Sequence, residues 1–361
     1  MASGQSHVPP RLTLPERIVF AAKCCFLIPG VGLRVVWQAL KTRDFSLKAL
    51  KASFIKGVVQ VSTKLSLREL RSFTQPSGSI IDHVCETEGF SHETTTLDAG
   101  QYGQAVLHFI DCAVHTPGNI LLYLHGGGYI FPISAVQVGF AHAAAAKSKS
   151  NLVILEYTLA PKLKYPGQLA QAVAALRLLL DHHDASEIIV GGDSAGGNLT
   201  LAILAHLRQP HPLVQPISEG GPCQLRAAFC VSPRCANDSA APSYNLNASK
   251  DIVNSDSMKL FTSNWEPAND EVWATPVAAG DDFWHYVHTK QLLLLAGTAE
   301  VYVDDIKRLA EMMGDKNQYG SKVELVLCAE EIHTQAVLDF GADNWDGVML
   351  KVLFTWLLNL K

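Results

Sequence analysis

The sequence predicts an α/β fold: a mostly parallel central sheet with helices on both faces and a helical cap over the strand ends. Three observations carry this expectation. Short apolar runs alternate with helix-length stretches from residue 105 to 358. Two of those runs end in glycine-rich turns, His-Gly-Gly-Gly and Gly-Asp-Ser-Ala-Gly. A hydrophobic content of 48% in 361 residues is enough to bury one large core.

The runs Ala105–Ile110, Ile120–Leu124, Leu152–Leu155, Ile188–Val190, Ala227–Val231, Leu292–Leu295 and Val323–Leu327 have strand length and read as strands. The stretches Val136–Ser148, Gln168–Leu180, Gly197–Arg208, Asp304–Met313 and Gly347–Leu358 read as helices. Strand–helix–strand units join parallel neighbours and cover both faces, so functional residues are expected where the strands end. Two segments fall outside the alternation: everything before about Asp82, and the polar insert Ala236–Asn264. The expected division is therefore 1–82 as N-terminal cap helices and 83–361 as the α/β domain, carrying a cap insert at about 236–272.

Gly192-Asp193-Ser194-Ala195-Gly196 stands between a strand and a helix, the context in which Gly-x-Ser-x-Gly makes a nucleophile. Small neighbours let the chain turn tightly enough to lift the Ser194 hydroxyl off the sheet, and Ala195 presents its backbone N–H to an oxyanion. About 70 residues upstream, His125-Gly126-Gly127-Gly128-Tyr129 follows the strand Ile120–Leu124. Its bare backbone suits an oxyanion loop, with Gly126 and Gly127 as the expected donors beside Ala195. An acid and a histidine must then follow Ser194 in the chain. Glu300, on the loop after Leu292–Leu295, is the expected acid, and His333, after Val323–Leu327, the expected general base. Asp304 and Asp305 read instead as first-turn helix residues that favour the macrodipole.

These residues resemble the hormone-sensitive-lipase-like branch of the α/β-hydrolases, especially its fungal members. Further likeness lies in Glu156-Tyr157-Thr158-Leu159-Ala160-Pro161, Tyr165-Pro166, Ser232-Pro233, Pro242-Ser243-Tyr244, Asp251 and Thr275-Pro276, so the resemblance extends from about Leu121 to the C-terminus. It implies an α/β-hydrolase fold and a Ser194–His333–Glu300 triad acting through an acyl-enzyme. The sequence departs from the family pattern twice: Glu300 stands where aspartate is usual, and Arg234 follows Ser-Pro where an aromatic is common. Cap segments shape the substrate pocket in similar hydrolases, and Phe131, Tyr244, Trp265, Trp273 and Trp284 are available to line it.

The expected function is hydrolysis of a carboxylic ester with a small to medium hydrophobic acyl group. The alternative is a biosynthetic enzyme of fungal natural-product metabolism that uses the same site for cyclisation, condensation or acyl transfer. A noncatalytic binding protein would be expected to have lost a catalytic residue. No metal or cofactor is expected, since the Cys and His residues lack ligand spacing and no dinucleotide fingerprint is present. A net charge of −5 argues against nucleic acid as a partner. Eight scattered cysteines suit a reducing, cytoplasmic location, so the sequons at Asn198, Asn237 and Asn247 are discounted. Ile18–Leu40 reads as a cap helix, with peripheral membrane contact as the rival. Lys23 and Arg34 argue against a spanning segment, and Pro29-Gly30 is expected to break the helix. A cleavable signal peptide is not expected because Pro9-Pro10 and Glu16 precede the apolar run, and the C-terminus carries no retention address.

Overall fold

The computed structural model describes residues 12–62, 64–113, 115–217, 223–237, 240–280, 282–314 and 321–360. Residues 1–11, the last two positions of the Asn237 sequon and Lys361 lie outside the described residues.

Four helices open the chain: α1 (Leu14–Thr42), α2 (Leu47–Ser62), α3 (Leu67–Arg71) and α4 (Ser77–Glu88). Then come β1 (His92–Asp98), β2 (Gln104–Ile110), β3 (Ile120–Leu124), α5 (Ala135–Lys147), β4 (Asn151–Glu156), α6 (Gly167–Leu180), β5 (Ile188–Asp193) and α7 (Ala195–Arg208). The second half holds β6 (Ala227–Val231), α8 (Ser243–Leu246), α9 (Ser255–Trp265), β7 (Gln291–Gly297), α10 (Val303–Met313), β8 (Lys322–Cys328), α11 (Gln335–Gly341) and α12 (Val348–Leu358).

All eight strands form one sheet in the order β1-β2-β4-β3-β5-β6-β7-β8. Only β2 runs against the others, pairing antiparallel with β1 and β4. From β4 to β8 every pairing is parallel, so the C-terminal ends of β3, β5, β6, β7 and β8 share one edge. β1 has the polar sequence His-Glu-Thr-Thr-Thr-Leu-Asp with one buried side chain, Leu97, which is why no apolar run marks it. As an edge strand it has only one neighbour to pair with, and threonine suits its pleat.

Alternation along the strands separates two cores. Leu122, Leu124, Val190, Leu292 and Leu294 face one side with α6, α7 and α10. Leu121, Tyr123, Ile189, Leu293 and Leu295 face the other with α4, α5 and α12. Truncating one such leucine to alanine costs about 2–5 kcal/mol, and this double burial holds the strand ends rigid.

The N-terminal helices pack differently. α4 crosses the expected boundary at residue 82 and buries Ile81 and Cys85 in the second core. α2 ties to the α/β domain through Lys51–Asp343 at 2.6 Å, and Gln60 Nε2 donates to Asp251 O at 2.9 Å. α1 runs unbroken through Pro29-Gly30, contrary to the expected break. A lone proline removes one helical N–H, a loss that the apolar turns on both sides outlast. Val31 packs over Gly57 of α2, where a Cβ would press to 2.9 Å from Val31 Cγ1.

Candidate active site

Ser194 sits on the turn from β5 into α7 with φ 52° and ψ −113°. Such backbone costs about 1–3 kcal/mol and persists only where its surroundings dictate it. They do so here. A Cβ on Gly192 or Gly196 would collide with the Leu124 carbonyl, so glycine lets the elbow press against β3. The Ser194 amide donates to Val231 O at 2.8 Å, and the Arg234 amide donates to Ser194 O at 3.3 Å. The turn is thereby tied to the end of β6.

The Ser194 Oγ lies 2.8 Å from His333 Nε2. His333 is 3% exposed, on the loop after β8, and burial pushes its imidazole down to about 3, helped by the Arg234 charge. It is therefore neutral near pH 7, the state a general base requires. Its backbone N–H donates to Asp251 Oδ1 at 3.0 Å. Asp251 also accepts from Ile252 N at 2.7 Å and, through Oδ2, from Val301 N at 2.8 Å. Burial pushes the Asp251 carboxyl up to about 6, against the pull of these amides. One carboxylate thus joins the cap insert, the Glu300 loop and the His333 loop, a role that no local pattern around Asp251 discloses.

Glu300 is fully buried, with Oε2 3.8 Å from His333 Nδ1. That is beyond hydrogen-bond length, yet among the described residues His333 Nδ1 has no other hydrogen-bond partner, and Glu300 has only the approach of the Ser232 hydroxyl and the Gly297 backbone, which pull its carboxyl down. An acceptor and a donor of opposite need face each other, and apo triad contacts commonly tighten on binding. Burial raises the Glu300 carboxyl well above the usual carboxylate range, and the Asp251 charge adds to this. Asp304 points elsewhere: its Oδ2 accepts from Ser243 N at 2.9 Å and its Oδ1 lies 3.4 Å from Lys307 Nζ. Asp305 accepts from the Tyr244 hydroxyl at 2.7 Å.

The loop after β3 differs from expectation at one glycine. The Gly126 N–H donates to Asp193 Oδ1 at 2.9 Å, so this amide is already engaged within the fold. Gly127 and Gly128 have φ of 112° and 60°, a left-handed backbone open to glycine. A Cβ on Gly128 would also strike the Phe261 ring. Ala195 is the first residue of α7, where the amide has no partner within the helix.

Of the expected pocket aromatics, Trp265 stacks on Tyr129 with centroids 4.2 Å apart, and Phe131 meets Phe261 edge-on at 6.2 Å. Tyr244 packs edge-on against Tyr302, which in turn abuts the His333 ring at 5.2 Å. Trp273 and Trp284 instead donate to the Gln209 and Pro276 carbonyls as buried framework residues. A cavity of about 190 Å³ lined by Tyr102, Arg177 and Leu213 contains none of Ser194, Glu300 and His333.

A family profile described as alpha/beta hydrolase fold matches residues 121–337. The carboxylesterase NlhH of Mycobacterium tuberculosis is 31% identical over 156 residues, 42% of this chain and 46% of that protein. The versiconal hemiacetal acetate esterase of Aspergillus parasiticus is 24% identical over 175 residues, 45% of this chain and 53% of that protein. The chain thus spans about half the length of these curated relatives. Among solved structures, a thermostable esterase from Pseudomonas putida matches with a TM-score of 0.69 at 19% identity, covering 86% of this chain and 97% of that one. Carboxyl esterase 2 of the mycorrhizal fungus Tuber melanosporum matches with a TM-score of 0.64 at 18% identity, covering 75% and 87%. At these identities the structural matches establish the fold.

Proposed function

The chain belongs to the alpha/beta hydrolase fold family, and from that premise we propose that it hydrolyses carboxylic esters through Ser194, His333 and Glu300. The observation that carries this reading is the 2.8 Å contact between Ser194 Oγ and a neutral His333 Nε2. His333 takes the Ser194 proton as Oγ attacks the ester carbonyl, and Glu300 orients the imidazole and stabilises its charged form. The tetrahedral oxyanion is held by the amides of Gly127 and Ala195. Gly128 takes the place first expected of Gly126, whose amide serves Asp193. His333 then protonates the departing alcohol, and a water activated by the same Nε2 releases the acid from the acyl-enzyme.

The resemblance to the hormone-sensitive-lipase-like branch supports a small to medium acyl group, as do relatives described as acetyl-hydrolase and acetate esterase. A panel of p-nitrophenyl esters tests the reading. Hydrolysis should fall by roughly 10³- to 10⁶-fold in Ser194→Ala without loss of folding. A fluorophosphonate should label Ser194. Absence of both turnover and labelling would rule out ester hydrolysis.

We further propose a cytoplasmic enzyme whose α1 rests on a membrane surface. The eight cysteines are all unpaired, which suits a reducing compartment. Phe26, Leu33 and Trp37 are 81%, 71% and 60% exposed, more apolar surface than a water-facing helix carries by chance. Although α1 is long and apolar enough to cross a bilayer, Lys23 is 2.8 Å from Glu69 and Val31 is packed on α2, so one side is already docked. Co-sedimentation with phospholipid vesicles should be strong and should be lost in Phe26→Glu/Leu33→Glu. Unchanged sedimentation in that variant would refute the contact.

A further inference from the structure

Arg234 is a buried cation for which the described residues supply no acceptor. Its residue is 3% exposed, and among the described residues Nε, Nη1 and Nη2 all lack a hydrogen-bond partner. Arginine offers five N–H donors and does not lose its charge in proteins. Leaving it buried and unpaired costs several kcal/mol, so an anion is the group this position calls for. Two rings attend it: the guanidinium carbon lies 4.6 Å from the Trp265 centroid and 5.5 Å from that of Tyr129. Rings engage the faces of the guanidinium and leave its N–H edge unused.

The neighbouring carboxylates do not fill the role. Glu300 is turned toward His333, Asp251 accepts from three amides, and Asp305 accepts from the Tyr244 hydroxyl. The surroundings place Arg234 beside the candidate site. Its backbone N–H holds the Ser194 carbonyl, Tyr129 directly follows the oxyanion glycines, and Trp265 closes α9 of the cap insert. The Arg234 charge is felt by His333, Tyr302 and Tyr157.

We propose that Arg234 binds a carboxylate carried by the ester substrate, so that the preferred substrates are monoesters of dicarboxylic acids or hydroxy acids acylated on their hydroxyl, both of which keep a free carboxylate. The proposal rests on the ester-hydrolase reading. A planar carboxylate matches the guanidinium fork in a bidentate pair, and one such anion balances the one charge. Neutralising Arg234 would also lift a depressing charge from His333, so the bound anion strengthens the general base at the moment it is needed.

The test compares mono-p-nitrophenyl succinate, glutarate and adipate, each with one free carboxylate, against neutral p-nitrophenyl butyrate. Using a series allows for the reach from Ser194 to the guanidinium. The wild-type enzyme should favour the best anionic ester by about 10- to 100-fold in kcat/KM, the scale of one charge-assisted hydrogen bond. The anionic-to-neutral ratio should fall toward unity in Arg234→Gln and be partly kept in Arg234→Lys. An enzyme that hydrolyses the neutral ester and is labelled at Ser194 yet shows no anionic preference overturns the proposal and leaves the ester-hydrolase reading standing. With neither turnover nor labelling, that reading fails, and glutarate titrated into Ser194→Ala decides the site alone. A rise in Tm with glutarate that is absent from Ser194→Ala/Arg234→Gln supports the proposal, whereas no rise, or a rise with inorganic phosphate only, overturns it. Should Arg234→Gln fail to fold, the wild-type preference still decides.

Discussion

Asp193 and Arg234 flank the same serine, both buried and both charged residue types, yet they live in opposite circumstances. Asp193 accepts from the Tyr123 hydroxyl at 2.5 Å, from the Gly126 amide at 2.9 Å and from Gln137 Nε2 at 3.0 and 3.2 Å. Burial raises its carboxyl, and these bonds pull it back. Arg234 has two ring faces and, among the described residues, no acceptor. The difference teaches how to tell a buried charge that builds a site from one that serves it. The first is satisfied by folding, and the second only by what the site binds. Asp193 ties the loop after β3 to the Ser194 turn, whereas Arg234, on our proposal, is kept for another group.

The largest effect concerns the buried carboxyl that faces His333. Glu300→Gln should lower turnover by about 10⁴-fold, because an amide lets the imidazole take the wrong tautomer. Folding should survive, since glutamine keeps the length of Glu300 and an oxygen for the Ser232 hydroxyl. Kinetics on p-nitrophenyl butyrate beside the Tm of the same preparation checks both halves; near-normal turnover would remove Glu300 from the triad.

Stability breaks or sharpens the comparison directly. Asp193→Ala strands the Tyr123 hydroxyl, the Gly126 amide and the Gln137 amide, and should destabilise the fold by about 3–5 kcal/mol. Arg234→Met removes an unpaired charge and keeps its length, so it should be neutral or stabilising by about 1–4 kcal/mol. Denaturant unfolding measures both. Equal losses in the two variants would make Arg234 as structural as Asp193.

Much of this arrangement was legible because its signals are local. The core strands are short apolar runs, and the glycines that admit the elbow against Leu124 sit within five residues of Ser194. What escaped depends on distant pairing. Gly126 was expected to face an oxyanion, but Asp193, 67 positions away, takes its amide. Asp251 was visible as a family match, while its grip on Val301 and His333 exists only once three loops converge. Arg234 stood out as a departure, and only the fold reveals the missing acceptors. β1 escaped because a threonine edge strand has no apolar rhythm, and α1 persisted because one proline removes one bond.

The pH profile offers a finer test. Burial and then Arg234 hold the His333 imidazole down to about 3, and in the proposed role of general base it works only when neutral. The acid limb of kcat/KM for a neutral ester should therefore lie well below the ordinary histidine value of about 6.5. Arg234 lowers the imidazole, so Arg234→Gln should move that limb toward higher pH. A limb that stays in place would show that the guanidinium does not reach the general base.

The smallest effect separates the two acidic positions of the Glu300 region. Asp304 stands in the first turn of α10, where a negative charge favours the helix dipole, and its Oδ2 accepts from Ser243 N at 2.9 Å. Asparagine retains an oxygen for that amide and loses only the charge, so Asp304→Asn should cost about 0.3–1 kcal/mol and leave turnover near normal. The side chain is 30% exposed, and its 3.4 Å contact with Lys307 is a surface pair of little weight. Glu300, fully buried and facing His333, has no such leeway. Collapse of turnover in Asp304→Asn, alongside a working Glu300→Gln, would move the acid one turn down the chain and require the loop after β7 to refold when substrate binds.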